Sequence, residues 1–203
     1  MELKDMTTKA VSTLLEKQAR YNELEKYYEG EHELKYPRQK LKDIFDDLNS
    51  EGFTMNWCGV VVDSVADKID MRGYDTGVQA TNKRMQKIWR DTAMDIEEAD
   101  IHKYALMFGE SYAIVGGEEE NYTAYYNDPR NCHVFYKEDS PRQKEWAVKV
   151  TYMDEVFTMR IYMPDETIFL TAKGEELTDK LAWDEVRRSP NSTGKIPVFH
   201  FKT

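Results

Sequence analysis

Apolar residues recur every three to four positions over the first half of the chain and at every second position over the remainder, with the change at Ser111. Val11, Leu14, Leu15, Tyr21, Leu24 and Tyr28, with Gln18 on the same row, predict a helix from about Thr7 to Tyr28, and Gly30 stops it. Glu and Lys alternate around that stripe as weak i, i+4 partners. A stripe this narrow suits packing on the chain's own body or on a neighbouring subunit. Trp57, Val61, Val65 and Ile69, widened by Cys58 and Val62, predict a central helix opened by Asn56 as N-cap, its apolar side buried. Met71-Arg72-Gly73-Tyr74 ends that pattern in a short extended segment. Met85, Ile88 and Trp89 mark a helix within Gly77–Asp91, and Ile101, Tyr104, Ala105 and Phe108 another over Asp95–Phe108, stopped by Gly109. Between the first and central helices, Glu33–Glu51 is polar, and Pro37 disfavours helix through Tyr36. Leu41, Ile44, Phe45 and Leu48 fit a short amphipathic helix there, followed by a turn at Asn49, Ser50 and Gly52.

Beyond Ser111 the alternation predicts strands at Ser111–Val115, Tyr122–Tyr126, Cys132–Tyr136, Trp146–Tyr152, Phe157–Met163, Thr167–Thr171 and Ile196–Phe201. Turns are expected at Gly116-Gly117, Asn127-Asp128-Pro129-Arg130, Asp139-Ser140-Pro141 and Met163-Pro164-Asp165. Leu181–Arg188 fits neither period, and Ser189–Gly194 reads as loop. Short turns between successive strands imply antiparallel pairing, so the fold class is α+β: helices first, then a mainly antiparallel β region. Two divisions follow, a helical arm over 1–52 and an α+β body over 53–203.

With 203 residues, 40% of them apolar and 12% aromatic, the chain can bury a core and is not a disordered segment. Its net charge of −10 argues against tight, non-specific binding of nucleic acid, whose phosphates call for a basic surface. Arg38, Gln39, Lys40 and Lys42 form only a small basic cluster, balanced by Asp43, Asp46 and Asp47. Cys58 and Cys132 lack zinc or CxxC spacing and read as reduced structural thiols. The opening MELKDMTTKA has no apolar core of a signal peptide, and no stretch is apolar enough to span a bilayer, so synthesis in the cytoplasm is expected. No phosphate loop, GxGxxG turn, GxSxG elbow or HExxH pair occurs. Three groups are the candidates for chemistry or binding. Asp63, Asp67 and Asp70, spaced i, i+4, i+7, would suit a metal-dependent hydrolase; so would Glu98 with His102. Tyr122, Tyr125 and Tyr126 would suit a protein-interaction module if exposed.

One order of short motifs runs through nearly the whole chain. Tyr27-Tyr28-Glu29-Gly30 closes the first helix, Asn56-Trp57-Cys58 opens the central one, and Val62-Asp63-Ser64-Val65-Ala66-Asp67 continues it. Ile88-Trp89 is followed by Ala105-Leu106-Met107-Phe108-Gly109-Glu110-Ser111-Tyr112, then Asp128-Pro129 and Gly194-Lys195-Ile196-Pro197-Val198. In this order the chain resembles the portal proteins of tailed bacteriophages, in the branch of the long-tailed phages, over their N-terminal wing. The resemblance implies a non-enzymatic subunit of a ring, typically dodecameric, at one capsid vertex of the virion, assembled in the host cytoplasm. Double-stranded DNA passes through such a ring. It implies as partners further copies of the chain, the terminase, the major capsid or scaffolding protein and the head–tail connector, and no membrane. It assigns no catalytic, cofactor-binding or metal residues and no cofactor. The stem, clip and crown segments of the family have no counterpart in the sequence, so channel-lining and terminase-docking residues are not assigned.

Overall fold

The structure, a computed structural model, describes residues 2–31, 43, 57–118 and 121–203. The expected short helix at Leu41–Leu48, the basic cluster at 38–42, the Asn56 cap and the 52/53 division lie outside the described residues.

Among the described residues the apolar periodicities yield four helices, α1 (Leu3–Glu29), α2 (Trp57–Ala66), α3 (Gln79–Asp91) and α4 (Met94–Phe108). Eight strands follow: β1 (Glu110–Glu118), β2 (Asn121–Asn127), β3 (Cys132–Lys137), β4 (Ser140–Met153), β5 (Val156–Tyr162), β6 (Glu166–Lys173), β7 (Asp184–Pro190) and β8 (Val198–Lys202). They build two antiparallel sheets, one in the order β2-β1-β8 and one running β3-β4-β5-β6-β7. The fold is α+β, with the helices ahead of Gly109.

Both glycine stops act as expected: Gly30 and Gly109 adopt left-handed backbone at φ 81 and 83, and each donates its N–H back into the last helical turn. At Gly117 the reason for glycine is crowding as well as φ (+95), since a Cβ there would lie 2.0 Å from the Asn121 carbonyl oxygen. The strand therefore runs through Gly116-Gly117 before the chain turns back into β2. Ser140 and Pro141 open β4 instead of ending a turn. The ambiguous Leu181–Arg188 becomes, from Asp184 on, the edge strand β7, which also takes in Ser189 and Pro190 of the expected loop because they pair with Thr167 and Glu166.

Four layers result. Met6, Ala10, Val11 and Leu14 of α1 pack on one face of the five-stranded sheet, against Trp146, Val148, Met159, Ile161 and Leu170. The other face of that sheet, through Cys132, Val134 and Ala147, meets Tyr112, Ile114 and Val198 of the three-stranded sheet. α4 covers the far side of the smaller sheet, where Met94 and Ile101 contact Ala113. Residues such as Leu14, fully buried here, each contribute roughly 1.5–3 kcal/mol by leaving water. The C-terminal half of α1 extends past the large sheet, and Tyr21 packs there with Met107 and Phe108.

The central helix departs from expectation. α2 spans only Trp57–Ala66 and has no buried residue; Trp57, Val61 and Val65 are 61%, 60% and 43% exposed. Of its apolar residues, Val62 is the one packed into the cluster around Phe108. The periodicity correctly reported an amphipathic helix, yet the stripe through Val61 faces outward and the helix is held by its Val62 side.

Candidate functional site

A dense polar cluster lies where α1, β1, β3 and β8 meet, and Glu110 is its centre. The sharp stop at Gly109 sets Glu110 as the first residue of β1, directly beneath α1. Its side chain is 14% exposed and accepts hydrogen bonds from Lys17 Nζ (2.5 Å), the Tyr21 hydroxyl and His200 Nε2 (2.8 Å). Burial raises the carboxyl's pKa; the hydrogen bonds from His200, Lys17 and Tyr21 outweigh this and hold it well below the usual carboxylate range. A carboxylate only accepts, so His200 donates from Nε2, and its Nδ1 takes the Tyr136 hydroxyl at 2.9 Å. Burial lowers the His200 pKa in spite of Glu110, so the ring is neutral at pH 7.

The same lysine serves a second histidine. Lys17 Nζ lies 2.9 Å from His133 Nδ1, and the Tyr112 hydroxyl lies 3.2 Å from the same nitrogen. An ammonium only donates, so Nδ1 is the acceptor; burial, followed by the Lys17 charge, pushes His133 down to about 3. Burial also pushes up the Tyr112 and Tyr21 hydroxyls and the Cys132 thiol, so none of them ionises near neutrality. Cys132 is fully buried and has the character of an inert core thiol. One ionised carboxylate, one ammonium and two neutral imidazoles form a closed network that ties four elements together. It reaches solvent at a cleft of about 230 Å³ lined by Lys17, Arg20, Tyr21, Phe108 and Glu110.

Two further ties flank it. Arg130 donates to both oxygens of Asp128 and to Glu25 of α1 (2.5 Å), while its guanidinium sits 5.5 Å above the Phe108 ring. The Tyr28 hydroxyl donates to Asp63 at 2.7 Å, joining the end of α1 to α2. The motif pieces scattered along the sequence thus meet in space: Tyr28 touches Asp63, Asp128 holds Arg130 over Phe108, and Val198 closes over Tyr112.

The residues singled out for chemistry do not converge. Asp63 is engaged by Tyr28, and Asp70 lies past the end of α2, so the expected i, i+4, i+7 row does not exist on one helix. Glu98 accepts the Met71 N–H at 3.3 Å, and no group of three or more His, Cys, Asp or Glu is placed to hold a metal ion among the described residues. Of the three tyrosines, Tyr122 alone is exposed (36%). Tyr125 packs into the inter-sheet core beneath Lys149, and Tyr126 stacks on Tyr104 with ring centroids 5.0 Å apart. Neither Cys58, exposed, nor Cys132 is in a disulfide. Sequence reasoning did not find the network itself, because Lys17, Glu110, His133 and His200 are far apart in the chain. The run Gly109-Glu110-Ser111-Tyr112 was its one local signal, a carboxylate placed at a helix-to-strand junction just before the buried Ser111 and Tyr112.

Among the described residues one apolar surface that stays open is on α2, where Trp57, Val60, Val61 and Val65 are exposed together. A contiguous patch of that kind marks a protein-contact surface. No helix among the described residues is long and apolar enough to cross a membrane. Compared with known families, the chain matches over residues 13–203 the family described as phage portal protein, SPP1 Gp6-like. No curated protein matches it.

Proposed function

The chain belongs to the phage portal proteins of the SPP1 Gp6-like family, and from that premise we propose that it is a structural subunit of the portal ring at one capsid vertex. The family is structural, and its members form ring oligomers associated with the capsid. In this reading twelve copies form the ring, double-stranded DNA passes through it in packaging and ejection, and it docks the terminase and later the head–tail connector. Assembly takes place in the host cytoplasm, against the major capsid or scaffolding protein. We read the chain as divided into an N-terminal helical arm over 1–52 and a wing-like α+β body over 53–203.

The observation that carries the reading is the family match over residues 13–203. The structure supports it in kind. Motif residues tie separate elements together, Tyr28 to Asp63 and Val198 to Tyr112, and α2 leaves an apolar face open for a neighbour. A net charge of −10 also suits a body past which duplex DNA must slide without sticking. Immunogold electron microscopy of phage particles, with antibody against this chain, tests the proposal. Label at a single vertex is the expected result; label spread over the capsid, or absent from particles, refutes it.

A further inference from the structure

α3 stands apart electrostatically from the rest of the molecule. Its 13 residues carry Lys83, Arg84, Lys87 and Arg90 against Asp91, a net +3 within a chain of −10, which leaves −13 on the remainder. Lys83, Lys87 and Arg90 are spaced i, i+4, i+7, so they form one exposed line about 10 Å long. Lys87 pairs with Asp91, but both are well exposed and such a pair is weak. The opposite side of α3, with Met85, Ile88 and Trp89, is half-buried, and Trp89 sets its edge against Tyr74 at 5.6 Å. The helix therefore presents charge outward, with its apolar side already used.

A complementary surface lies elsewhere on the chain. A groove of about 430 Å³ between α1 and the β4–β5 hairpin is floored by Leu15, Tyr152, Phe157 and Leu177 and rimmed by Glu175 and Glu176. The hairpin turn adds Asp154 and Glu155, both in left-handed backbone at φ 51 and 61. The Gly174 N–H donates to the Glu155 carbonyl at 3.2 Å, which brings this turn beside the Glu175–Glu176 rim. Tyr152 is 50% exposed in this groove. An apolar floor with carboxylates at its edge fits lysine and arginine side chains, whose stems cover apolar surface while their heads reach the rim.

We propose that the basic line on α3 of one copy docks into this acid-rimmed groove of the next copy. α3 is attached to α4, whereas the groove is built from α1 and the five-stranded sheet, so the two surfaces belong to different parts of the molecule. Two different complementary surfaces on each subunit are what a head-to-tail ring contact requires. The contact also offsets the repulsion between copies that carry −10 each. A duplex would meet the same line but also the −13 of the remaining surface, so a second copy is the better-matched occupant. The inference rests on the ring reading above and names its contact.

The test is sedimentation velocity of the purified chain over a concentration series at low and high salt, with circular dichroism as the check on folding. One variant carries Lys83→Glu, Lys87→Glu and Arg90→Glu; a second carries Glu175→Lys and Glu176→Lys. All five positions are exposed, so both variants fold. Wild type self-associates at low salt and dissociates at high salt, and each variant associates at least about tenfold more weakly. Mixed, the two variants associate again, because the basic α3 of the groove variant fits the intact groove of the α3 variant and the reversed pair of surfaces is opposite in charge as well. Variants that assemble like wild type overturn the contact while leaving the ring reading standing. A wild-type chain that stays monomeric at low salt also overturns it, and the portal reading is then decided separately by the vertex labelling. Duplex binding by wild type, lost in the α3 variant and indifferent to the groove variant, assigns the line to nucleic acid and overturns the proposal.

Discussion

Glu110→Gln separates a structural keystone from an incidental buried acid. The substitution keeps size and one acceptor oxygen but removes the charge that three donors converge on. Lys17, 25% exposed, is left with a half-buried ammonium whose other partner is neutral His133. Removing one partner of a fully buried pair costs roughly 3–5 kcal/mol. Solvent reaches this site through the cleft beside Glu110, so the expected loss is about 2–4 kcal/mol, or ~4–16 °C in melting temperature for a chain of this size. Urea denaturation monitored by tryptophan fluorescence measures it, and adding Lys17→Met completes a double-mutant cycle with coupling of about 1–3 kcal/mol. The pH dependence fixes the sign. A carboxyl held below its unfolded pKa stabilises the fold above that unfolded value and loses the contribution as pH falls towards its folded pKa. Wild type and Glu110→Gln should therefore differ fully at pH 7 and begin to converge only below the unfolded carboxyl's pKa of about 4, the gap narrowing further as pH falls towards the folded pKa. A gap that persists unchanged at pH 3, or a variant within about 0.5 kcal/mol of wild type at pH 7, would refute the role given to the charge.

The parts of this fold that were legible in the sequence are those set by local chemistry. Gly30 and Gly109 stop helices because left-handed backbone is cheap only for glycine, and that can be read without knowing any neighbour. Strand alternation from Ser111 onward was readable because each sheet is covered on at least one face. What the sequence did not reveal depends on partners. An apolar stripe on α2 says that something should cover it, not that the same chain does so, and Val61 is 60% exposed. Asp63, Asp67 and Asp70 looked like one acidic face only while the helix was assumed to run past Ala66. The Glu110 network was invisible for a different reason. Its side chains come from α1, β1, β3 and β8, and only folding makes neighbours of Lys17, His133 and His200. Tyr126 looked like a contact residue because its stacking partner, Tyr104, lies on another element.

Further outcomes follow from particular contacts. Val61→Asp should stay soluble with stability within about 0.5 kcal/mol of wild type, since the side chain already faces outward; a melting curve collapsed by several degrees would place it in a core after all. Leu14→Ala, at a fully buried position against the large sheet, should cost about 2–5 kcal/mol by urea denaturation, and a loss below 1 kcal/mol would contradict the packing of α1. Asp63→Asn with Asp67→Asn should leave Mg²⁺ and Mn²⁺ calorimetry flat, as in wild type; stoichiometric binding lost in the double variant would favour a metal-dependent hydrolase instead. His133 gives the last test. Its folded pKa is pushed down from 6.5 to about 3, so below pH 6.5 the unfolded chain takes up a proton that the folded one refuses, and stability drops as pH falls. His133→Gln, which keeps a hydrogen-bonding side chain but cannot protonate, should flatten the loss between pH 6.5 and 4 by on the order of 2–3 kcal/mol. An unchanged slope would mean that His133 charges freely in the folded state, which the ammonium of Lys17 at 2.9 Å from Nδ1 opposes.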